Sequence, residues 1–382
     1  MNLLTIGCLV LGFLLGEWGL GLFNVYTIGH LKPFVAFALG WVGFIIGENL
    51  ERTSIIRISG RLVALSLGQM TATFGLTAWA LAAFLTRLAG WSPDTAMVFA
   101  LLAAVTATAT DPITAVGAMD RSRPATGPSH LLMQLATIAD VFTSLLFWIV
   151  LSYAVGHLGG GSGAGNGFVL NILLHPVLGL GLGLVLSLLI TPAREQREVT
   201  LLLTAAIFLV AGAGITLKVS PLIVSMFASA FVMSVKRTRG AIHDALHQLE
   251  KPVYVTFLIL CGALFRPLLL GTMAVPLLIY VVARTAGKVA GISLTARLVR
   301  SGAGTGKLGL GLLSQAGLAV VLAVNIYLEV DARLGLSLVA LTTAGILVNQ
   351  FLGLLGIGTL KRLWPELTAG EAEGGTAKRE GS

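Results

Sequence analysis

Charge is scarce in this 382-residue chain: Asp, Glu, Lys and Arg together make up 11% of it. A soluble domain carries about 25% charged residues to cover its surface. That shortage argues against an ordinary soluble fold. Cysteine is scarcer still, with Cys8 and Cys261 far apart in apolar segments. They read as small buried hydrophobes and point away from redox or metal chemistry. Alternation of apolar and polar residues is lacking too, so a β-barrel is not expected. The six histidines lie mainly in loops or at helix ends and do not converge by spacing. With no nucleophile beside a base and no metal cluster visible, an enzyme is not expected, nor is a cofactor.

What the chain has instead is apolar length. It is 56% hydrophobic, its mean hydropathy is +0.91, and Leu62 to Thr86 contains no charge at all. Such runs approach the roughly 20 residues that span a hydrocarbon core as a helix. Frequent glycine and tryptophan suit helix packing in lipid and interfacial anchoring. Cutting at charge clusters and at Gly and Pro breaks predicts an all-α polytopic membrane protein of about twelve spans. They fall near 3–22, 33–49, 61–86, 95–118, 129–156, 168–190, 198–217, 219–235, 252–268, 271–297, 308–328 and 334–360. The first run has no Lys or Arg before it and is interrupted by Glu17, so it reads as a retained helix and not a cleaved signal. Residues 157–167 form a flexible connector, residues 237–250 an amphipathic linker, and residues 366–382 a polar, disordered tail.

A net charge of +8 would suggest nucleic acid in a soluble protein, but here the positions of the charges decide. Arg52, Arg57, Arg61, Arg121, Arg123, Arg194, Arg197, Lys236, Arg237, Arg239, Lys251, Arg297, Arg300, Lys307, Lys361, Arg362, Lys378 and Arg379 follow the even-numbered spans. The odd-numbered loops hold only Lys32, Arg87, Lys218, Arg266 and Arg333. This alternation is the positive-inside asymmetry, and it predicts both termini in the cytoplasm. No nucleic-acid partner is expected.

Ionisable residues inside spans are costly and mark pathways. The fourth span reads VTATATDPITAVG over residues 105–117. Pro112 cannot donate a hydrogen bond and crowds the carbonyl of Thr108, while Thr106, Thr108 and Thr110 supply hydroxyls beside the opening. Two readings of Asp111 stand: a carboxylate at a broken helix whose freed carbonyls coordinate a cation, or the cap of the helix that follows. The fifth span carries Asp140 near its middle, with Thr137, Thr143 and Ser144 close by. There a proton and a monovalent cation would compete for one carboxylate, unless Asp140 is a structural partner of Lys288. The tenth span carries Arg284 and Lys288 on one face at spacing i, i+4. The eleventh begins in SGAGTGKLGLG and continues LLSQAGLAVVLA, where Ser314 and Gln315 mark a second place for a helix to open. Close packing of small residues explains that stretch equally well. The fourth and eleventh spans hold corresponding places in two halves, as inverted repeats require.

At these residues the chain resembles the monovalent cation:proton antiporter superfamily, the sodium/proton and potassium/proton exchangers. LVLGFLLGEWGLGL, FALGWVGFIIGENLE, ATDPITAVG and LLSQAGLAVVLA carry the likeness, which covers nearly the whole chain. The resemblance implies a homodimer in a prokaryotic inner membrane with two crossed discontinuous helices, the fourth and eleventh. It implies a single transporter domain over 1–365, with core helices near 61–156 and 271–360 and scaffold helices near 1–49 and 168–268. It assigns ion and proton binding to Asp140, the crossing to Thr110 and Asp111, and the basic residue of the tenth helix to Lys288. The expected partners are Na⁺, with K⁺ or Li⁺ as alternatives, together with H⁺ and lipid. Three departures accompany the likeness. The usual first helix is missing, Ala139 stands where members carry Asp or Asn before Asp140, and no nucleotide-binding domain follows the last span. A lone carboxylate implies electroneutral one-for-one exchange. A channel and an organic-anion symporter are the alternative readings.

Overall fold

The computed structural model describes residues 2–23, 25–49, 59–111, 128–158, 164–190, 196–235, 239–301 and 305–363. Its regular elements are helices. They begin with α1 (Asn2–Leu15), α2 (Val25–His30), α3 (Lys32–Asn49), α4 (Gly60–Arg87) and α5 (Pro93–Thr108). Next come α6 (Pro128–Leu158), α7 (Ala164–Leu189), α8 (Gln196–Leu217), α9 (Pro221–Val235) and α10 (Arg239–Leu264). The chain continues through α11 (Pro267–Leu298), a 3-10 helix at Thr305–Leu312, α12 (Gly317–Glu329) and α13 (Ala332–Leu363). Among the described residues no strand forms, only an isolated bridge between Gly16 and Phe23.

By length and composition five helical stretches can cross a membrane: Leu131–Leu158, Gly167–Leu189, Gln196–Leu217, Gly271–Leu298 and Ala332–Leu360. The 3-10 helix and α12, bent by 54° at their junction, would together make a sixth. Leu4–Leu15, Pro93–Thr108 and Pro221–Val235 are shorter apolar helices. Leu170, Leu173, Val177, Leu184 and Leu188 lie exposed along α7, an apolar face suited to lipid and not to water.

Helix packing explains much of the glycine. Lipid tails are as apolar as leucine, so helices in a membrane gain little by hiding apolar side chains from them and associate through close backbone approach. G-x-x-x-G pairs serve this end: Gly12 on α1 with Gly16 just past its end, Gly43 and Gly47 on α3, Gly179 and Gly183 on α7, and Gly287 and Gly291 on α11. A Cβ at Gly287 would lie 2.5 Å from Thr73 Cα, and one at Gly291 would lie 2.6 Å from Gln69 Cα. Thus α11 packs backbone to backbone on α4. Gly43 and Gly47 press against Leu222 and Met226 of α9 in the same manner, and Gly12 against Ile259 of α10.

Three elements differ from the sequence expectation. The first helix ends at Leu15, where Gly19 and Gly21 (φ +70°) turn the chain and Glu17 pairs with Arg266 at 2.7 Å. The linker expected over 237–250 joins the ninth span from Arg239 onward as the single helix α10. Its inner face buries Ile242, Ala245 and Leu246, and Trp41 Nε1 donates to Leu246 O at 2.9 Å. The short helix α2 was not foreseen. The tail 366–382, the stretch 112–118 of the fourth span and the arginines at 52, 57, 121, 123 and 194 lie outside the described residues.

Candidate functional site

The site starts where α5 stops. Ser92 caps its first turn, accepting from Thr95 N at 3.4 Å, and Pro93 sits where a missing N–H costs nothing. Helix geometry ends at Thr108, and Ala109 is already extended with ψ 143°. The sequence explains the stop, because Pro112 disfavours helical backbone at Asp111 and removes the donor that would have met the Thr108 carbonyl. Thr108, Ala109, Thr110 and Asp111 are all buried. Their backbone groups therefore need partners other than water.

Those partners come from α11 and α6. Lys288 Nζ donates to Thr108 O at 2.7 Å and to Thr110 Oγ1 at 2.5 Å. Arg284 Nη2 donates to Ala109 O at 2.9 Å. From α6, Asp140 Oδ1 accepts the N–H of Thr110 at 3.2 Å, and Thr143 shares a hydroxyl contact with Thr108 at 2.9 Å. Lys288 and Asp140 thus hold the same open helix end from two sides, the lysine at Thr108 O and Thr110 Oγ1 and the carboxylate at Thr110 N.

A second opening faces the first. Residues 313–316 are non-helical between the 3-10 helix and α12, and Gly317 starts α12 with φ +27°. Arg284 Nη1 donates to Leu313 O at 2.6 Å and Nη2 to Ser314 O at 3.2 Å. One guanidinium thus bridges both openings, a role its planar fork suits and an ammonium does not. Asp111 N donates to Ser314 O at 3.2 Å, and Ser314 Oγ returns a bond to Asp111 O at 3.1 Å. Gln315 Nε2 donates to Thr106 O at 2.8 Å and to the Tyr280 hydroxyl at 2.8 Å.

Arg284 and Lys288 are fully buried, while Asp140 keeps partial exposure. Formal charges there come to two positive side chains and two carboxylates, Asp111 and Asp140. Of the two carboxylates Asp111 is buried and Asp140 partly exposed, on a stretch of α6 that also carries Thr137, Thr143 and Ser144. Ala139 is buried and offers no second oxygen beside it. The oxygens at the open helix end, Thr108 O, Ala109 O and Thr110 Oγ1, are engaged by Lys288 and Arg284.

Six of the eight candidates converge directly: Asp140, Thr110, Asp111, Lys288, Arg284 and Ser314. Gln315 stands behind them, and Thr137 lies one turn away on α6, its hydroxyl turned back to Met133 O at 3.0 Å. Sequence reading missed Tyr280, Asn349 and Gln350. Asn349 Nδ2 donates to Gln315 Oε1 at 2.8 Å and Gln350 Nε2 to Gln315 O at 2.9 Å. Tyr280 was findable, because it continues the i, i+4 row of Arg284 and Lys288. The Asn349–Gln350 pair inside an apolar helix was a similar signal.

Residues 4–357 match the sequence model of a family described as sodium/hydrogen exchanger, transmembrane. No curated protein sequence matches the chain. Among solved structures it is similar to the sodium proton antiporter MjNhaP1 from Methanocaldococcus jannaschii at pH 8, with TM-score 0.66 and 15% identity over 91% of this chain and 92% of that one. A second structure of that antiporter, from electron microscopy, gives TM-score 0.60 and 17% identity over 95% and 90% of the two chains. At such identity the likeness speaks for the fold.

Proposed function

The chain belongs to the sodium/hydrogen exchanger family, and from that premise we propose that it exchanges a monovalent cation for H⁺ by alternating access at Asp140. Na⁺ is the first candidate, with K⁺ and Li⁺ as alternatives. One observation carries the reading: Asp140 accepts the Thr110 N–H at the open end of α5, while Lys288 and Arg284 take up the carbonyls around it. The carboxylate then faces a preset polar opening, and a proton or a cation can fill it in turn.

The same reading gives the chain twelve spans, with inverted repeats whose broken helices cross at Thr110–Asp111 and Ser314–Gln315. The reciprocal bonds between Asp111 and Ser314 support that crossing. Core helices near 61–156 and 271–360 would move against a scaffold near 1–49 and 168–268 that forms a homodimer. Both termini would lie in the cytoplasm of a prokaryotic cell, as the basic loops suggest. Exchange would be electroneutral: with Ala139 beside it, Asp140 holds one proton or one monovalent cation, and both loaded states carry the same charge.

The test is proton release from proteoliposomes when Na⁺, K⁺ or Li⁺ is added. The Asp140→Asn protein should insert and purify normally yet exchange none of them. Exchange retained by that variant would remove Asp140 from the role.

A further inference from the structure

Away from the buried openings, Glu48 on α3 meets His243 and His247 on α10. The sequence separates Glu48 from His243 by 195 positions, and the histidines stand one helical turn apart. Glu48 Oε1 is in very short contact with His243 Nδ1, and Glu48 Oε2 lies 3.4 Å from His247 Nε2. One ligand atom from each of the three residues lies within 4.8 Å of the others. The opposite nitrogen of the second ring is engaged as well, His247 Nδ1 lying 2.5 Å from Glu250 Oε2.

We propose that Glu48, His243 and His247 form a binding site for a divalent first-row transition-metal ion of the Zn²⁺ class, with Glu250 as the residue that positions His247. Two imidazoles and a carboxylate are the donor set that such ions favour, whereas Mg²⁺ and Ca²⁺ ask for oxygen throughout. Zinc bonds of about 2.0–2.1 Å in a tetrahedron place neighbouring ligand atoms about 3.4 Å apart. The His247–Glu48 separation already has that value.

The surroundings favour a prepared site over a chance meeting of side chains. A metal-bound imidazole usually has its other nitrogen held by a carboxylate, which fixes ring direction and raises ligand basicity. Glu250 stands in that relation to His247, three residues along the same helix. The helices are held in register independently, by the Trp41 bond to Leu246 O, which lies between the two histidines and turns their face of α10 toward α3. Entry is open too: the His243 side chain is 55% exposed and that of His247 34%. Three protein ligands leave the fourth position to water or an exchanging ligand, as in zinc sites that are not purely structural.

The experiment uses full-length protein in detergent with any affinity tag removed. Zn²⁺ is titrated calorimetrically, and Co²⁺ is followed by its visible absorption. The unaltered protein should bind one Zn²⁺ per chain and give the intense absorption of tetrahedral Co²⁺. Glu48→Gln and the double variant His243→Ala/His247→Ala should lose this binding while eluting as folded protein. Glu250→Gln should keep it with affinity reduced about 10–100-fold. Asp140→Asn should bind as the unaltered protein does, which separates this site from the exchange reading. Failure of the folded, unaltered protein to bind Zn²⁺ would overturn the proposal. So would equal affinity in the double variant, or loss of binding in Asp140→Asn.

Discussion

Lys288 donates from Nζ to the Thr110 hydroxyl at 2.5 Å, and the backbone N–H of that same threonine reaches Asp140 at 3.2 Å. The lysine and the carboxylate are therefore also linked through the open end of α5. Both links meet at Thr110, one at its hydroxyl and one at its N–H. Thr110→Val separates the two links, since it keeps the N–H and deletes the hydroxyl. Leaving a buried donor short of a partner costs about 1–3 kcal/mol. The variant is expected to lose thermal stability and at least tenfold in exchange rate, read from the same proteoliposomes by scanning calorimetry and proton release.

Arg284→Lys should be no conservative change. The guanidinium meets Ala109 O, Leu313 O and Ser314 O, and one ammonium on a shorter stem cannot reach both openings. Each buried carbonyl left without its donor costs about 1–3 kcal/mol. Little folded protein is expected, with a clearly lowered melting temperature in what survives detergent extraction. A melting curve equal to that of the parent protein would show that the arginine does not tie the openings together.

Gly287→Ala tests the packing that sets this geometry. Its Cβ would meet Thr73 Cα at 2.5 Å, so α11 must move away from α4, at a cost of about 1–3 kcal/mol. Gly212→Ala on α8 is the control, because nothing lies within 4 Å of its Cβ, and alanine is the better helix former by up to about 1 kcal/mol. The first should melt lower than the parent protein and the second at the same temperature or higher.

Acid should suppress exchange through competition. If a proton and Na⁺ share Asp140, a rise in proton concentration lowers the apparent affinity for Na⁺ by mass action, by at most about tenfold per pH unit. Half-saturating Na⁺ should therefore rise as pH falls from about 8 to 6, and saturating Na⁺ should restore the rate. A half-saturating concentration constant across that range would mean separate sites for the two ions.

Voltage tests the stoichiometry. With Ala139 beside Asp140, the Na⁺ gradient at equilibrium should ignore a membrane potential set by potassium and valinomycin. Each net charge moved is worth about 2.3 kcal/mol per 100 mV, so an electrogenic exchanger would shift its gradient strongly. A gradient that follows the voltage would overturn one-for-one exchange and make Lys288 the next residue to mutate.

The sequence by itself determined that the chain is an all-helical membrane protein and which of its residues are out of place in lipid. Both follow from local arithmetic: apolar length, scarce charge, and a proline after Asp111 that ends α5 at Thr108. It also gave the spacing that puts Arg284 and Lys288 on one face. Tertiary structure alone decided the partners. Lys288 bonds Thr108 and Thr110, Gln315 gathers Tyr280 and Asn349, and Glu48 finds two histidines nearly two hundred residues away. Periodicity tells which face of a helix turns inward, but not its axial offset or rotation against a neighbour. Those are set by the close backbone contacts at Gly43, Gly287 and Gly291. A displacement of about 1.5 Å, the rise of one helical residue, would pair every polar group differently.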